Sequence, residues 1–350
     1  MQHLSASGNA FELGKSLGEG ARDVFARIIE PSDDFQRLYR RLPAGWLTRV
    51  ATAVRDRFPT VWQELEGMAE GLVRPVEQVL LWNCRGDINP TGPEGCSSVA
   101  VDGGGERWLA HNEDGDPALR DACFLLQATP EDGPAFLTFC YPGSLPGHTF
   151  ALNAAGFAFT VNNLRLTEHP AGIPRMVTAR ALVACGDSNE ALALLRDTPR
   201  TGGYHFMMAD RRERAPLSVE APFHRVTTRE AAPVAVHTNH LVQSGCTDLP
   251  QRVTASSAAR QARLESWRDA LTGIPSADEL LAILGDRSDP NLPLYRTAAD
   301  DPDGENTLAT ALLRLDPAGA TAIVRTAPDG PIVAERRFDL ASPKPEHRVS

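Results

Sequence analysis

PEGCSSVAVDGGGERWLAHNEDG, residues 93–115, is the stretch in which the hydrophobic pattern of this 350-residue chain changes period. Upstream, LGKSLGEGARDVFARIIE (13–30) sets Val24, Phe25, Ile28 and Ile29 at helical spacing. WLTRVATAVRDRFPTVWQELEGMAEGL (46–72) repeats that pattern with charges between the apolar positions, and Pro59 breaks or starts a helix within it. The first ninety residues therefore read as helical. From Ser97 the apolar residues alternate, and SSVAVDGGGERWLAHNE reads as a strand, a Gly-rich hairpin turn and a second strand.

Farther downstream, ACFLLQA, AFLTFCY and HTFALNAAGFAFTVNNL are short apolar runs broken by Gly and Pro, as strands are. Residues 174–196 return to a helical pattern, read as two helices split at Gly186-Asp187-Ser188, where Asp187 or Ser188 can cap the second. YHFMMAD, APLSVEA, FHRVTTR and PVAVHTNH are strand-like again. SSAARQARLESWRDAL and SADELLAILG are helical, and TLATALLRLDPAGATAIVRTAPDGPIVAE closes the pattern as strands turning at Asp316-Pro317 and Asp329-Gly330. Strands linked by hairpins between helical blocks, without a βαβ repeat, point to an α+β fold with antiparallel sheets stacked between helical layers. The chain shows no internal repeat and no low-complexity linker, and the tail ASPKPEHRVS is expected to be loose.

Hydrophobic residues at 42% and charged residues at 23% are the balance of an ordinary globular protein, and 35 basic against 45 acidic residues give a net charge of −10. That charge argues against a nucleic-acid surface. The N-terminus lacks a basic segment followed by an apolar one, and no apolar run approaches the ~18 residues of a membrane span, so a cytoplasmic protein without membrane contact is expected. Six cysteines lie apart without metal-ligand spacing, which indicates neither a disulfide framework nor a zinc site. Nine histidines include the pair of HTNH, but no HExxH arrangement is present and no metal is expected.

Cys96 is either a small buried apolar residue or a nucleophile. It follows the Pro- and Gly-rich segment INPTGPEG, expected to be an exposed loop, and precedes Ser97 and Ser98, which leave room around the sulfur. Gly95 has no side chain to block attack on its own carbonyl. If the Cys96 thiol attacks that carbonyl and the ester is hydrolysed, Cys96 becomes a new N-terminus. Its α-amine, titrating at ~7.7–8.0, can then exchange a proton with a thiol near ~8.5 without a histidine.

The chain resembles the isopenicillin N acyltransferase group of N-terminal nucleophile hydrolases, relatives of choloylglycine hydrolases and penicillin V acylases. GNAFELGKSLGE is similar to the opening of that group, GCSS to its glycine–cysteine cleavage site and HNEDG to its Asn-x-Asp element. GFAFTVNNL, YHFMMAD with SVE, HTNH, SSAARQAR and TLATALLRLDP resemble its later blocks, in order. Two departures stand out: Ser97 replaces the more usual threonine, and Glu113 stands where the group often has a large aromatic or apolar residue. A charge there would change the polarity of the pocket.

The resemblance implies a four-layer αββα sandwich and no cofactor. It implies self-cleavage at Gly95-Cys96 into a helical leader, 1–95, and a catalytic fragment, 96–350, which stay associated as one structural domain. Cys96 is then the nucleophile and Asp114 orients its α-amine, although a turn aspartate in EDGDP is the plainer reading of Asp114. Asn239 is the expected oxyanion donor, the alternative being a residue that merely ends a strand. Of Asn162 and Asn163, Asn162 is expected to face the site, because side chains alternate along a strand. Arg260 and Arg263, three apart on a helix, either bind a substrate carboxylate or pair with surface acids, and Glu113 is a further candidate substrate contact. His240 invites a Cys–His reading, set aside because the group works without a histidine base. Asp87 and Glu220 stay ambiguous. The expected reaction is amide hydrolysis of a small N-acylated amine or N-acyl amino acid, with two rivals: acyl transfer from an amide or acyl-coenzyme A, and a non-catalytic binding protein. Homo-oligomerisation is compatible with the sequence.

Overall fold

The computed structural model describes residues 1–42, 44–212 and 215–339; the expected loose tail lies outside the described residues. The chain opens on β1 (Gln2–Gly8), followed by α1 (Ala10–Val24), α2 (Asp33–Arg41), α3 (Trp46–Arg57), α4 (Pro59–Leu72), α5 (Val76–Asn83) and α6 (Arg85–Ile88). The wholly helical reading of the first ninety residues is therefore corrected at its start. β1 pairs in parallel with β4 (Phe124–Pro130) across 122 positions, from Gln2 against Phe124 to Gly8 against Pro130, a partner that local periodicity cannot reveal. Local chemistry explains the helix starts. Asn9 and Glu12 form a reciprocal capping box on α1, and Pro59 sits in the first turn of α4, where its missing N–H costs nothing.

The hairpin reading holds. β2 (Glu94–Asp102) and β3 (Arg107–Gly115) pair antiparallel with Cys96 opposite Glu113 and Gly95 opposite Asp114. β5 (Phe136–Cys140), β6 (Phe150–Asn153) and β7 (Phe157–Asn163) precede α7 (Arg175–Leu182) and α8 (Ser188–Arg196), and Asp187 caps α8 by accepting the Asn189 and Glu190 N–H groups. Next come β8 (Gly203–Asp210), β9 (Leu217–Pro222), β10 (Thr227–Glu230) and β11 (Val234–His237). α9 (Ala255–Asp269), α10 (Ala277–Leu284), β12 (Asn306–Asp316), β13 (Gly319–Arg325) and β14 (Ile332–Asp339) complete the order.

These strands form two sheets, β1-β4-β5-β6-β7-β8-β9-β10 and β11-β2-β3-β12-β13-β14, antiparallel apart from the β1–β4 pair. The fold is α+β in four layers. Outside the larger sheet lie α1, α4, α7 and α8. The α1 and α4 backbones touch, since a Cβ on Gly14 would stand 1.9 Å from the Glu64 carbonyl oxygen and one on Gly67 1.9 Å from that of Phe11. Buried Arg180 of α7 donates to Glu64 of α4 at 2.8 and 3.0 Å and fastens the layer. Outside the smaller sheet, α9 and α10 bury Leu264, Leu280 and Leu284 against Val99, Val101, Ala110 and Leu312. Odd-numbered β2 residues thus face α9 and even-numbered ones face the other sheet, where Ser98 Oγ meets Thr160 Oγ of β7 at 2.9 Å. All six cysteines are free and buried, and no described helix is long and apolar enough to cross a membrane.

Candidate active site

Cys96 is the third residue of β2, and its side chain enters the space between the sheets. It is only 5% exposed, which corrects the expectation of an accessible loop-to-strand junction. Arg85 of α6, strand residues and the loop of Tyr141 and His148 supply the cover, and the surroundings are polar rather than hydrocarbon. A narrow cavity is lined by Cys96, Arg85, Glu94, Glu113, Tyr141, His148, Asn163 and Tyr204. Arg85, Glu94 and Tyr141 also line a second, roomier cavity. Its other walls include Ile28, Ile29, Leu38, Trp82 and Leu119, with Asp34 and Asp116 among them.

Three residues hold the Cys96 backbone. Its N–H donates to Asn239 Oδ1 at 3.0 Å, and its carbonyl accepts from Arg260 Nη1 at 2.5 Å. Arg260 also donates to Ser97 Oγ at 2.9 Å and Asn239 Oδ1 at 2.8 Å, while its Nε reaches Ser256 Oγ. This fork fixes the Asn239 amide with its oxygen toward Cys96 N, and Asn239 Nδ2 donates to the Asn163 carbonyl at 3.2 Å. Asn239 thus meets Cys96 through an acceptor rather than through the N–H expected for an oxyanion contact. Arg263, one turn on, pairs with Asp286 at the surface and does not join the site.

Gly95 is required by crowding. A Cβ there would lie 2.0 Å from Glu305 Oε2 and 2.9 Å from Arg296 Nη1. Both belong to a buried network in which Arg165 and Arg296 grip Glu305, and Arg296 also pairs with Asp301. Asp114, opposite Gly95, faces this network from the α9 side of β3. Its Oδ1 accepts from Thr307 Oγ at 2.6 Å, and its buried Oδ2 has no partner among the described residues. Burial raises its carboxyl above the ordinary range, opposed by Arg296 and Arg260.

Glu113 shares the Cys96 face. Its Oε2 is 3.7 Å from Cys96 Sγ and 3.0 Å from His111 Nε2, and its Oε1 accepts from the Tyr141 hydroxyl at 2.8 Å. Burial first, then the charges of Glu113 and Asp114, push the Cys96 thiol well up, while the Asn163 amide N–H and Arg260 oppose the rise. Burial also raises Glu113 and lowers His111 to about 3, so this imidazole is neutral at working pH.

Of the asparagine pair, Asn163 lines the cavity and Asn162 does not. Asn162 turns between the sheets to His205, whose ring stacks on His237 at 3.5 Å; His237 in turn meets Glu220 at 3.1 Å. Asn163 donates to the Glu94 carbonyl and accepts from Arg175, which also pairs with Glu94. The alternation argument was sound, but it could not say which residue of the pair looks which way. His240 bonds Ser257 Oγ at 2.8 Å and makes no hydrogen bond to the thiol. Sequence reasoning missed Arg85, Glu94, Tyr141, His148, Arg165, Tyr204, Arg296 and Glu305. Their shared signal is a polar, charged or phenolic side chain in a loop or near an element end, too common a pattern to single them out.

Asp87 lies behind this wall, accepting from Thr201 Oγ at 2.7 Å and the Arg175 N–H at 3.3 Å, with Oδ2 unpartnered among the described residues. Burial raises its carboxyl to about 6, opposed by Arg175. An unfolded aspartate titrates near ~3.9, so the folded chain holds an extra proton between the two values, and stability falls as pH rises from about 4 to about 6. The shift corresponds to roughly 3 kcal/mol. Asp87→Asn is expected to flatten this slope, as urea denaturation at pH 4, 5, 6 and 7 would show.

The family model of acyl-coenzyme A:6-aminopenicillanic acid acyl-transferase matches residues 101–327, which begin just past Cys96 and include Asp114, Asn163, Asn239, Arg260, Arg296 and Glu305. The chain belongs to this family. Among curated relatives of this acyl-transferase family member is beta-alanyl-dopamine/carcinine hydrolase of Drosophila melanogaster, 28% identical over 212 residues. The alignment takes in 53% of this chain and 54% of the relative, so the chain spans about half the length of the curated relative it matches. Among solved structures, two variants of conjugated bile acid hydrolase from Clostridium perfringens are similar to it. One is 12% identical with a TM-score of 0.44, covering 70% of this chain and 92% of that one. The other is 11% identical with a TM-score of 0.47, covering 73% and 100%.

Proposed function

We propose that this acyl-transferase family member is a self-cleaving amidohydrolase in which Cys96, freed as an N-terminus by scission after Gly95, carries the acyl group of a small amide to water. The observation that carries the reading is the hold on Cys96: Asn239 on its nitrogen, Arg260 on its carbonyl and a cavity at its sulfur. Any buried backbone N–H and carbonyl must be partnered, but a merely structural cysteine does not need a polar cavity at its sulfur.

After scission the Cys96 nitrogen gains protons. Asn239 Oδ1 already accepts one, and the unpartnered Asp114 Oδ2 is suited to a second, which favours the charged amine and orients it. The amine takes the thiol proton, sulfur attacks the substrate carbonyl, and the amine returns the proton to the leaving nitrogen. The developing oxyanion needs donors at the sulfur, and the Asn163 backbone N–H, which already favours the thiolate, is one. The second hydrogen of Asn239 Nδ2 is the other we assign. Residues 1–95 stay with 96–350, because α1 to α5 share one buried core with both sheets and the segment before Cys96 supplies most of the larger cavity wall.

Hydrolysis is favoured over transfer from acyl-coenzyme A, since Arg85, the one arginine among the described residues of the larger cavity, is already paired with Glu94, which leaves Asp34 and Asp116 to repel the coenzyme's phosphates. The same carboxylates beside Trp82 and Leu38 suit a substrate with an apolar body and a positive charge. Intact-mass spectrometry of the purified wild type, before and after a thiol-acylating lactone, tests the reading. Fragments of 95 and 255 residues (350 − 95), with the adduct on the larger, are expected. A whole chain that takes no adduct would sink it, as the rival non-catalytic binding protein requires.

A further inference from the structure

In the uncut chain the Cys96 nitrogen is an amide that donates its proton to Asn239, so the amine that serves turnover cannot serve the first cut. Another group must take the thiol proton. Asp114 is on the far face of β3 and bonded to Thr307, and Glu94 is gripped by Arg85 and Arg175. Glu113 is the carboxylate hydrogen-bonded to the sulfur, at 3.7 Å.

We propose that Glu113 is the general base of self-cleavage, a catalytic residue of the first cut, with Tyr141 and His111 as its positioning residues. The inference rests on the self-cleaving reading above. The Glu113 carboxylate takes the thiol proton, and the sulfur electron pair attacks the Gly95 carbonyl carbon. Collapse of the tetrahedral intermediate breaks the C–N bond to Cys96, whose nitrogen receives the proton from Glu113. The products are a Gly95 thioester and a free α-amine. Water then hydrolyses the thioester to the Gly95 carboxylate and the Cys96 thiol.

The geometry suits this task. Tyr141 donates to Oε1 at 2.8 Å, leaving Oε2 turned toward the sulfur. His111 meets Oε2 through Nε2 at 3.0 Å, and its Nδ1 is tied to Ser98 Oγ at 2.9 Å, so a chain of hydrogen bonds runs from the thiol inward to Thr160. Burial lifts Glu113 well above the ordinary carboxylate range, which makes its charged form a stronger base. The groups that set its charge are Tyr141, Asp114, Glu94, Cys96, His111 and Cys123.

Cell-free translation of the full chain, followed by time courses of scission in buffers of graded pH, tests the proposal. Wild-type cleavage is expected to accelerate as pH rises through the Glu113 titration. Glu113→Gln is expected to slow it by about 10²- to 10⁴-fold, the usual worth of a positioned base. Tyr141→Phe removes a hydrogen bond that favours the carboxylate, so its profile is expected to move to higher pH. Wild-type cleavage rates in Glu113→Gln, with Cys96→Ala still whole, would overturn the proposal and leave the nucleophile in place. An uncut wild type, or a cut Cys96→Ala, would instead overturn the underlying reading. If Glu113→Gln does not fold, Tyr141→Phe decides, and an unmoved profile overturns the proposal.

Discussion

Cys96→Ala is expected to remain a single 350-residue chain and to lose amide turnover by on the order of 10⁵- to 10⁶-fold, the loss typical of removing a nucleophile that acts as part of a unit. The substitution removes only a sulfur. Asn239 and Arg260 bond the Cys96 backbone, so folding should hardly change, and a thermal melt close to wild type would separate lost chemistry from lost structure. Cys96→Ser is the sharper comparison. Burial and two carboxylates already push the thiol well up, and a hydroxyl, far less acidic, meets the same environment. It is expected to cut far more slowly than wild type and to stay mostly whole. Scission of Cys96→Ala at Gly95-Cys96, seen by intact mass, would end the case for this nucleophile.

Arg260→Met should have the second-largest effect. Arg260 is 1% exposed and donates to the Cys96 carbonyl, Ser97 Oγ and Asn239 Oδ1. Methionine fills the volume but leaves three buried acceptors without this donor, at about 1–3 kcal/mol each where nothing replaces it. Asn239 would also lose the contact that fixes its amide orientation. We expect a loss of about 3 kcal/mol in stability and almost no self-cleavage. Arg260→Lys keeps the charge, but one ammonium cannot span the Cys96 carbonyl and Asn239 as a guanidinium fork does. That variant should fold and cut about 10²-fold more slowly, the scale of loss from a misplacement of about 1 Å. Urea denaturation and a scission time course check both. Wild-type cutting by Arg260→Met would show that the fork is structural decoration.

Much of the architecture was legible in the residues. The switch from helical spacing to alternation near Ser97, the Gly-rich turn and the Asp187 cap each depend on neighbours a few positions away. β1 was not legible, because an edge strand with exposed and half-buried residues carries little pattern, and its partner β4 is more than a hundred residues on. The site divided in the same way. GCSS marked the cysteine, but a slip of one residue in the β2–β3 register would have sent Glu113 to the α9 face and brought Asp114 to the sulfur. Periodicity set Arg260 and Arg263 on one helix face. It could not tell that one enters the site, 164 positions from Cys96, while the other meets Asp286.

By itself the sequence determined most of the helices and hairpins, the Asp187 cap and the glycine–cysteine step on which the self-cleaving proposal rests, because each follows from side-chain chemistry over a few neighbouring residues. Only the tertiary structure decided that Asn163 rather than Asn162 lines the cavity, that the Asn239 oxygen faces the Cys96 nitrogen, and that Glu113 sits beside the sulfur. Those choices depend on strand register and sheet-to-sheet packing, where burial and long-range hydrogen bonds select one arrangement among several that the local pattern allows equally.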